Sequence, residues 1–224
     1  MALEYEVVIP ARNEGPTIGA VVRAACGSGA AGVVVVDDHS TDDTARVAAD
    51  AGARVVRSGG RASKALALAT GFAATTAPAV VFFDADILGA APAHFDALAT
   101  PVTGGGFAMS CGLVDYGLRN ALFLRLPPIT GLRAVRREVF AAIGPERLNG
   151  FQIEIMINEV VARGGMRSTI QVLKGLAHRS KLQKLGPIRG LRANVSMTAE
   201  LLHCLTFVPL WTYPSYLRHL TIQR

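Results

Sequence analysis

Gly32-Val33-Val34-Val35-Val36-Asp37-Asp38 is an apolar run that stops abruptly on two carboxylates. A continuous Val-rich stretch of this length reads as a strand buried on both faces, the condition of a parallel sheet covered by helices. Upstream, residues 6–10 form a similar run. Between the two, residues 17–25 carry Ile18, Val21, Val22 and Ala25 at helical spacing, with Asn13 or Thr17 as the cap. The unit is βαβ. Downstream, Ser40-Thr41-Asp42-Asp43 supplies helix-start chemistry for residues 45–51, and residues 54–57 form a short strand. Residues 63–75 fit a third helix, and residues 79–83 form an apolar strand ending in Asp84-Ala85-Asp86. This alternation predicts an α/β fold with a mostly parallel central sheet flanked by helices, binding its ligands outside the carboxyl ends of the strands.

The second half is less regular. Gly104-Gly105-Gly106 reads as a turn into a strand over 107–113, and a helix over 118–126 is stopped by Pro127-Pro128. Helices are expected at 136–143 and 154–163, and a late strand at 169–173. From residue 181 basic and apolar residues mix up to Phe207-Val208-Pro209-Leu210-Trp211, which suits a helical extension lying on the domain or on lipid. The expected organisation is one domain over 1–180, with a nucleotide-binding half over 1–100 and an acceptor half over 101–180, followed by the helical extension 181–224.

Composition narrows the function. With 224 residues, 50% of them hydrophobic, the chain can bury one substantial core. An aromatic content of 6% argues against a stacking surface for single-stranded nucleic acid, and no nucleic-acid partner is expected. The net charge of +6 attracts anions, among them anionic lipid and phosphorylated small molecules. Cys26, Cys111 and Cys204 are odd in number and widely spaced, as unpaired thiols of a reducing compartment are. The N-terminus lacks a signal-peptide pattern, and no apolar run approaches the roughly 18 residues of a membrane span. A cytoplasmic protein is expected, with peripheral contact at the inner face of the membrane and a homodimer left open.

Asp84 and Asp86 are the first candidates for chemistry. In an extended chain side chains repeat every two residues, so the two carboxylates would point the same way, with Ala85 leaving room for a phosphate. Adjacent like charges need compensation, and a divalent metal, Mg or Mn, supplies it.

Three motifs in order carry a resemblance: Val7-Val8-Ile9-Pro10-Ala11-Arg12-Asn13-Glu14, then Val35-Val36-Asp37-Asp38-His39-Ser40-Thr41-Asp42-Asp43-Thr44, then Phe82-Phe83-Asp84-Ala85-Asp86. Together they resemble family 2 glycosyltransferases over roughly the first 180 residues. The resemblance implies a single GT-A, Rossmann-like domain that moves a sugar from a nucleoside diphosphate sugar. It implies donor contacts by Pro10, Ala11, Asn13, Glu14, Asp38, Ser40, Lys64, Asp84 and Ala85. Lys64 matches the lysine of the family's Gly-Lys-Gly segment that ends here at Gly71, although Ser63 and Ala65 replace the flanking glycines.

Thr130-Gly131-Leu132-Arg133 resembles the Ser/Thr-Gly-x-Arg segment under acceptor and sugar, which implies roles there for Thr130, Gly131 and Arg133. Gly150-Phe151-Gln152-Ile153-Glu154 resembles an element of polyprenyl-phosphate sugar transferases and glucosyl-3-phosphoglycerate synthases. Gln152 and Glu154 are then acceptor- or sugar-binding, and Glu154, with Asp86, is the catalytic candidate, as a general base if the reaction inverts. Glu154 could instead pair with Arg133 or Arg163. Gln171-Val172-Leu173-Lys174-Gly175-Leu176-Ala177-His178-Arg179 resembles the stretch of glucosyl-3-phosphoglycerate synthases whose histidine completes the metal site. That implies a metal set of Asp84, Asp86 and His178, with Arg179 beside phosphate.

The expected activity is metal-dependent transfer to a small phosphorylated or carboxylated acceptor. The alternatives are a lipid-phosphate acceptor at the membrane surface and a non-catalytic nucleotide-sugar-binding module. The first loop lacks both the Gly-rich phosphate loop of nucleotidyltransferases and the Gly-x-Gly-x-x-Gly of dinucleotide-binding oxidoreductases.

Overall fold

The computed structural model describes residues 4–115, 117, 120, 124, 128–144, 153–179, 214 and 217–223. The predicted start of the chain is present in order: β1 (Tyr5–Ala11), α1 (Gly15–Cys26), β2 (Gly32–Asp37), α2 (Thr44–Asp50), β3 (Arg54–Arg57), α3 (Lys64–Ala73) and β4 (Ala79–Phe82). There follow β5 (Ile87–Leu88), α4 (Pro92–Thr103), β6 (Met109–Val114), β7 (Arg133–Arg136), α5 (Arg137–Ala141) and α6 (Ile153–Arg163). The last described elements are β8 (Ser168–Leu173), β9 (Ala177–His178) and β10 (Leu220–Ile222).

Eight strands form one sheet in the order β10-β8-β6-β7-β4-β1-β2-β3. All neighbours are parallel except β7, which runs antiparallel between β4 and β6. Side chains alternate across the sheet. Val7, Ile9 and Ala11 of β1 enter one core cluster with Ile18 and Val22 of α1 and Phe95 and Leu98 of α4. Val8 enters the other, with Leu68 of α3 and Ile157 and Val161 of α6. Helices on both faces explain why β1, β2 and β4 read as unbroken apolar runs. Gly71 of α3 lies against this sheet: a Cβ there would come within 2.3 Å of Val8 and 2.9 Å of Val36. Its place is a packing requirement of helix on strand.

Several expectations change. The helix expected over 136–143 is the short α5, and the residues just before it form β7, whose hydrogen bonds to β4 and β6 override the local pattern. Residues 87–103 hold β5 and α4, which periodicity did not mark out. Helix α1 starts after Glu14, not at Asn13 or Thr17, because Pro16 presets its first turn. Within the expected helical extension, residues 220–222 are a strand: β10 pairs in parallel with β8 and so continues the sheet. The helix expected over 118–126, apart from residues 120 and 124, and the whole span 181–213 lie outside the described residues.

Candidate functional site

The loops after β1 and β2 are zipped together. Asn13 and His39 sit at φ of 55° and 63°, the left-handed region that Asn and His tolerate in tight turns. The Asn13 backbone NH donates to Ser40 Oγ at 3.0 Å, and Asn13 Oδ1 accepts from the Thr41 NH at 2.8 Å. The Gly15 NH donates to Asp42, whose other oxygen accepts from the Thr44 NH. The Glu14 NH donates to Thr44 Oγ1 at 2.8 Å, and Glu14 is buried at the start of α1. Asn13, Ser40 and Asp42 thus tie the two loops together as turn-forming residues. Pro10 pairs in register with Val36 and Ala11 with Asp37, placing both at the carboxyl end of the sheet.

Asp37 and Asp38 are both buried but do different work. Asp37 accepts from the Ser40 NH at 3.1 Å and closes its own turn. Asp38 points toward the start of α3, where the Ser63 NH donates to it at 3.3 Å. The Ser58 and Ser63 hydroxyls are buried there without a hydrogen-bond partner.

At the next strand end the expected geometry changes. Residues 85 and 86 form a turn, so Asp84 and Asp86 do not repeat along an extended chain. Ala85 is 3% exposed and packs in the core, so its side chain holds the turn down and lines no cleft. The two carboxylates have separate partners. Asp84 accepts from Lys64 Nζ at 2.9 Å, and the same ammonium reaches Glu154 Oε1 at 2.9 Å. Lys64 is therefore neither a free helix-start lysine nor aimed only at a donor; it bridges two carboxylates.

Desolvation acts to lower the Lys64 pKa, but the pull of Asp84 and Glu154 overrides it and leaves the ammonium raised above its ordinary value. Burial acts to raise Glu154, and the charges of Lys64 and Arg133 hold it below the usual carboxylate range instead. Glu154 stays ionised. Gly131 closes the other side of Asp84: a Cβ on Gly131 would lie 2.3 Å from both carboxylate oxygens.

Asp86 faces His178. Strand β5 pairs antiparallel with β9, bringing Ile87 opposite His178, and the Arg179 NH extends the ribbon by donating to the Asp86 carbonyl at 3.0 Å. His178 Nδ1 then lies 3.9 Å from Asp86 Oδ1, with 41% of the imidazole side chain exposed. Two atoms each about 2.1 Å from one ion lie about 3.0–3.4 Å apart at octahedral or tetrahedral angles, so this pair would have to close by about half an ångström to share a divalent metal. Among the described residues no group of three or more His, Cys, Asp or Glu side chains forms a ready metal cluster. The expected set of Asp84, Asp86 and His178 is therefore a pair plus a third carboxylate engaged by Lys64. Arg179 is half-buried beside the pair.

Arg133 and Thr130 turn inward. Arg133 is 1% exposed, and its guanidinium donates to the carbonyls of Thr130, Pro128 and Glu154 and to Asn158 Oδ1. It staples the loop before β7 to α6, and it meets the backbone of Glu154, not its carboxylate. Arg163 pairs with Glu159 at 2.7 Å. Thr130 Oγ1 donates to the Gly112 carbonyl at 2.9 Å. Gln152 lies outside the described residues.

Sequence reading missed two supports. Asn158 shares a helix face with Glu154, a spacing of four that could have flagged it, and its Nδ2 donates to the Pro128 carbonyl. His94 Nδ1 accepts from the Ala91 NH, and its Nε2–H donates to the Lys174 carbonyl, each at 3.0 Å. That ties α4 to the turn leading into β9. Gly89 sits under the same turn, where a Cβ would come within 2.1 Å of the Gly175 carbonyl.

Residues 6–159 match the family described as Glycosyl transferase family 2. Uncharacterized glycosyltransferases of Mycobacterium tuberculosis and Mycobacterium bovis are 33% identical, over 82% of this chain and 91% of theirs. The crystal structure of glucosyl-3-phosphoglycerate synthase from Mycobacterium tuberculosis with Mn2+, UDP and glucosyl-3-phosphoglycerate superposes with a TM-score of 0.73 at 27% identity, covering 91% of this chain and 78% of that one. The same enzyme with Mg2+ and UDP superposes with a TM-score of 0.68 at 26% identity, over 85% and 79% of the two chains. The match over residues 6–159 and the 33% identical relatives agree: the chain is a glycosyltransferase and belongs to glycosyl transferase family 2.

Proposed function

We propose that this glycosyltransferase moves a sugar from a nucleoside diphosphate sugar to a small phosphorylated or carboxylated acceptor, with a divalent metal held by Asp86 and His178 and joined by Asp84. The observation that carries the reading is the pair Asp86–His178, 3.9 Å apart and fixed by the β5–β9 ribbon. It is supported by the superposed synthase, whose crystals hold Mn2+ or Mg2+ with UDP.

When bound, the metal neutralises charge that develops on the leaving diphosphate. The chain supplies the rest. The zipped loops of Asn13 and Ser40 form one wall for the nucleoside, and Asp38 offers a carboxylate to base or ribose. Lys64 and Arg179 bring positive charge to the diphosphate side. Glu154, held ionised, accepts a hydrogen bond from a sugar or acceptor hydroxyl.

A phosphorylated acceptor is supported by the phosphoglyceric acid seen with the synthase and by the net charge of +6. Among the described residues no helix is long and apolar enough to cross a membrane. The test is transfer from UDP-glucose with Mn2+ to 3-phosphoglycerate, glycerate and vesicles carrying polyprenyl phosphate. Turnover on the soluble acids supports the proposal, and turnover confined to the vesicles overturns it.

A further inference from the structure

Strands β5 and β9 pair through two residues each, Ile87 with His178 and Leu88 with Ala177. A two-stranded ribbon is marginal by itself and takes its stability from what it packs on. The 3.9 Å approach of His178 Nδ1 to Asp86 Oδ1 is therefore set by the supports of the ribbon. Ile87 and Leu176 are buried in the core and anchor the two chains from below. The turn Lys174-Gly175, which leads from β8 into β9, is seated by two further contacts. The Gly175 carbonyl packs on Gly89 so closely that no Cβ fits there. The Lys174 carbonyl accepts from His94 Nε2 at 3.0 Å. His94 Nδ1 accepts from the Ala91 NH, also at 3.0 Å, so the ring proton sits on Nε2 and is aimed at that carbonyl.

His94 is rooted in the first turn of α4, beside the fully buried Phe95, and α4 packs on β4, β6 and β7. Its imidazole is thus a fixed post against which the turn is held. We propose that His94 is a positioning residue for the metal pair: it pins the β8–β9 turn to α4 and so keeps His178 in reach of Asp86. It acts through the Lys174 carbonyl, four residues before His178. The proposal rests on the metal reading of Asp86 and His178 above, and it gives that pair a support outside the strand ends that carry the carboxylates. Such outer supports orient the groups that meet a metal and tune its affinity.

The test is Mn2+ binding to the full chain at a fixed concentration of UDP, followed by electron paramagnetic resonance against a protein-free blank. Wild type, His94→Glu, His94→Ala, His94→Gln and Asp86→Ala are compared, and thermal melting reports whether each folds. Glutamate in the first turn keeps an acceptor for the Ala91 NH, as in a capping box, but brings no donor to the Lys174 carbonyl. Glutamine brings both. His94→Glu and His94→Ala are expected to weaken Mn2+ binding by about 10-fold, the lower scale for disturbing the surroundings of a metal ligand, while His94→Gln stays close to wild type. Weakening in His94→Glu at a wild-type melting temperature is a result that loss of a helix cap does not give. Unchanged or tighter Mn2+ binding by folded His94→Glu or His94→Ala overturns the proposal. So does a folded His94→Gln as weak as His94→Ala. Asp86→Ala reports separately on the metal site: wild-type Mn2+ affinity in that variant overturns the metal reading itself, whereas a weakened Asp86→Ala beside an unaffected His94→Glu overturns the clamp alone.

Discussion

The carboxylate of Asp84 rests directly on the backbone of Gly131, with no space between them for a methyl group. Gly131 follows Thr130, whose hydroxyl is anchored to β6 through the Gly112 carbonyl, so the contact is set by the strand layout and not by a loose loop. Gly131→Ala is expected to push Asp84 off Lys64. Overpacking of this kind costs about 1–3 kcal/mol. Glycosyl transfer should fall by at least about 10-fold, since a misplaced reacting group is that sensitive. Steady-state kinetics beside a thermal melt check this, and a variant with wild-type kcat would contradict the contact.

Arg133 is a staple. Its guanidinium satisfies backbone carbonyls at Pro128, Thr130 and Glu154 from a position that is 1% exposed. Arg133→Met removes both of its bonds to the Thr130 carbonyl and one donor each from the Pro128 and Glu154 carbonyls, at a cost of about 3 kcal/mol or more. For a chain of this size that lowers Tm by roughly 6–12 °C. Calorimetry showing a shift under about 2 °C would return Arg133 to the surface of the site.

Gly71 is fixed by packing against Val8 and Val36. Gly71→Ala is expected to destabilise by about 1–3 kcal/mol, although alanine is the better helix former by about 1 kcal/mol. Urea denaturation gives the sign directly, and a stabilised variant would show that α3 rides higher on the sheet.

Tyr5 tests the far end of the sheet. Its hydroxyl donates to Asp96 Oδ1 at 2.6 Å, linking β1 to α4. Burial first, then the bond to Asp96, raises the phenol well above its ordinary value. A phenol raised in the fold contributes stability that is fully present below its unfolded pKa of about 10 and is lost as pH rises beyond it. Alkaline unfolding of Tyr5→Phe should therefore depend less steeply on pH than that of wild type. Equal slopes would contradict the assignment.

The first half of this fold was legible because β1, β2 and β4 are buried on both faces, and such strands announce themselves as apolar runs. Strand β7 did not. Arg133 and Arg136 bracket just two apolar residues, and what makes Arg133 compatible with burial is a set of carbonyls from elsewhere in the chain. The ribbon of β5 and β9 has two residues on each side, too short for any periodicity, yet it sets Asp86 beside His178. Residue types at the site were readable from motifs. Their pairing was not, since Lys64, Asp84 and Glu154 belong to three separate elements and meet only when the sheet is assembled.

The central claim is metal-dependent transfer from a nucleoside diphosphate sugar at Asp86 and His178. It is tested most directly by turnover of UDP-, GDP- and dTDP-sugars with Mg2+ or Mn2+ in wild type and Asp86→Ala. The account predicts turnover with at least one donor that is abolished by chelation and lowered by about 100-fold in the variant, the upper scale for disturbing a metal shell. Equal turnover by Asp86→Ala, or turnover indifferent to the chelator, would contradict it.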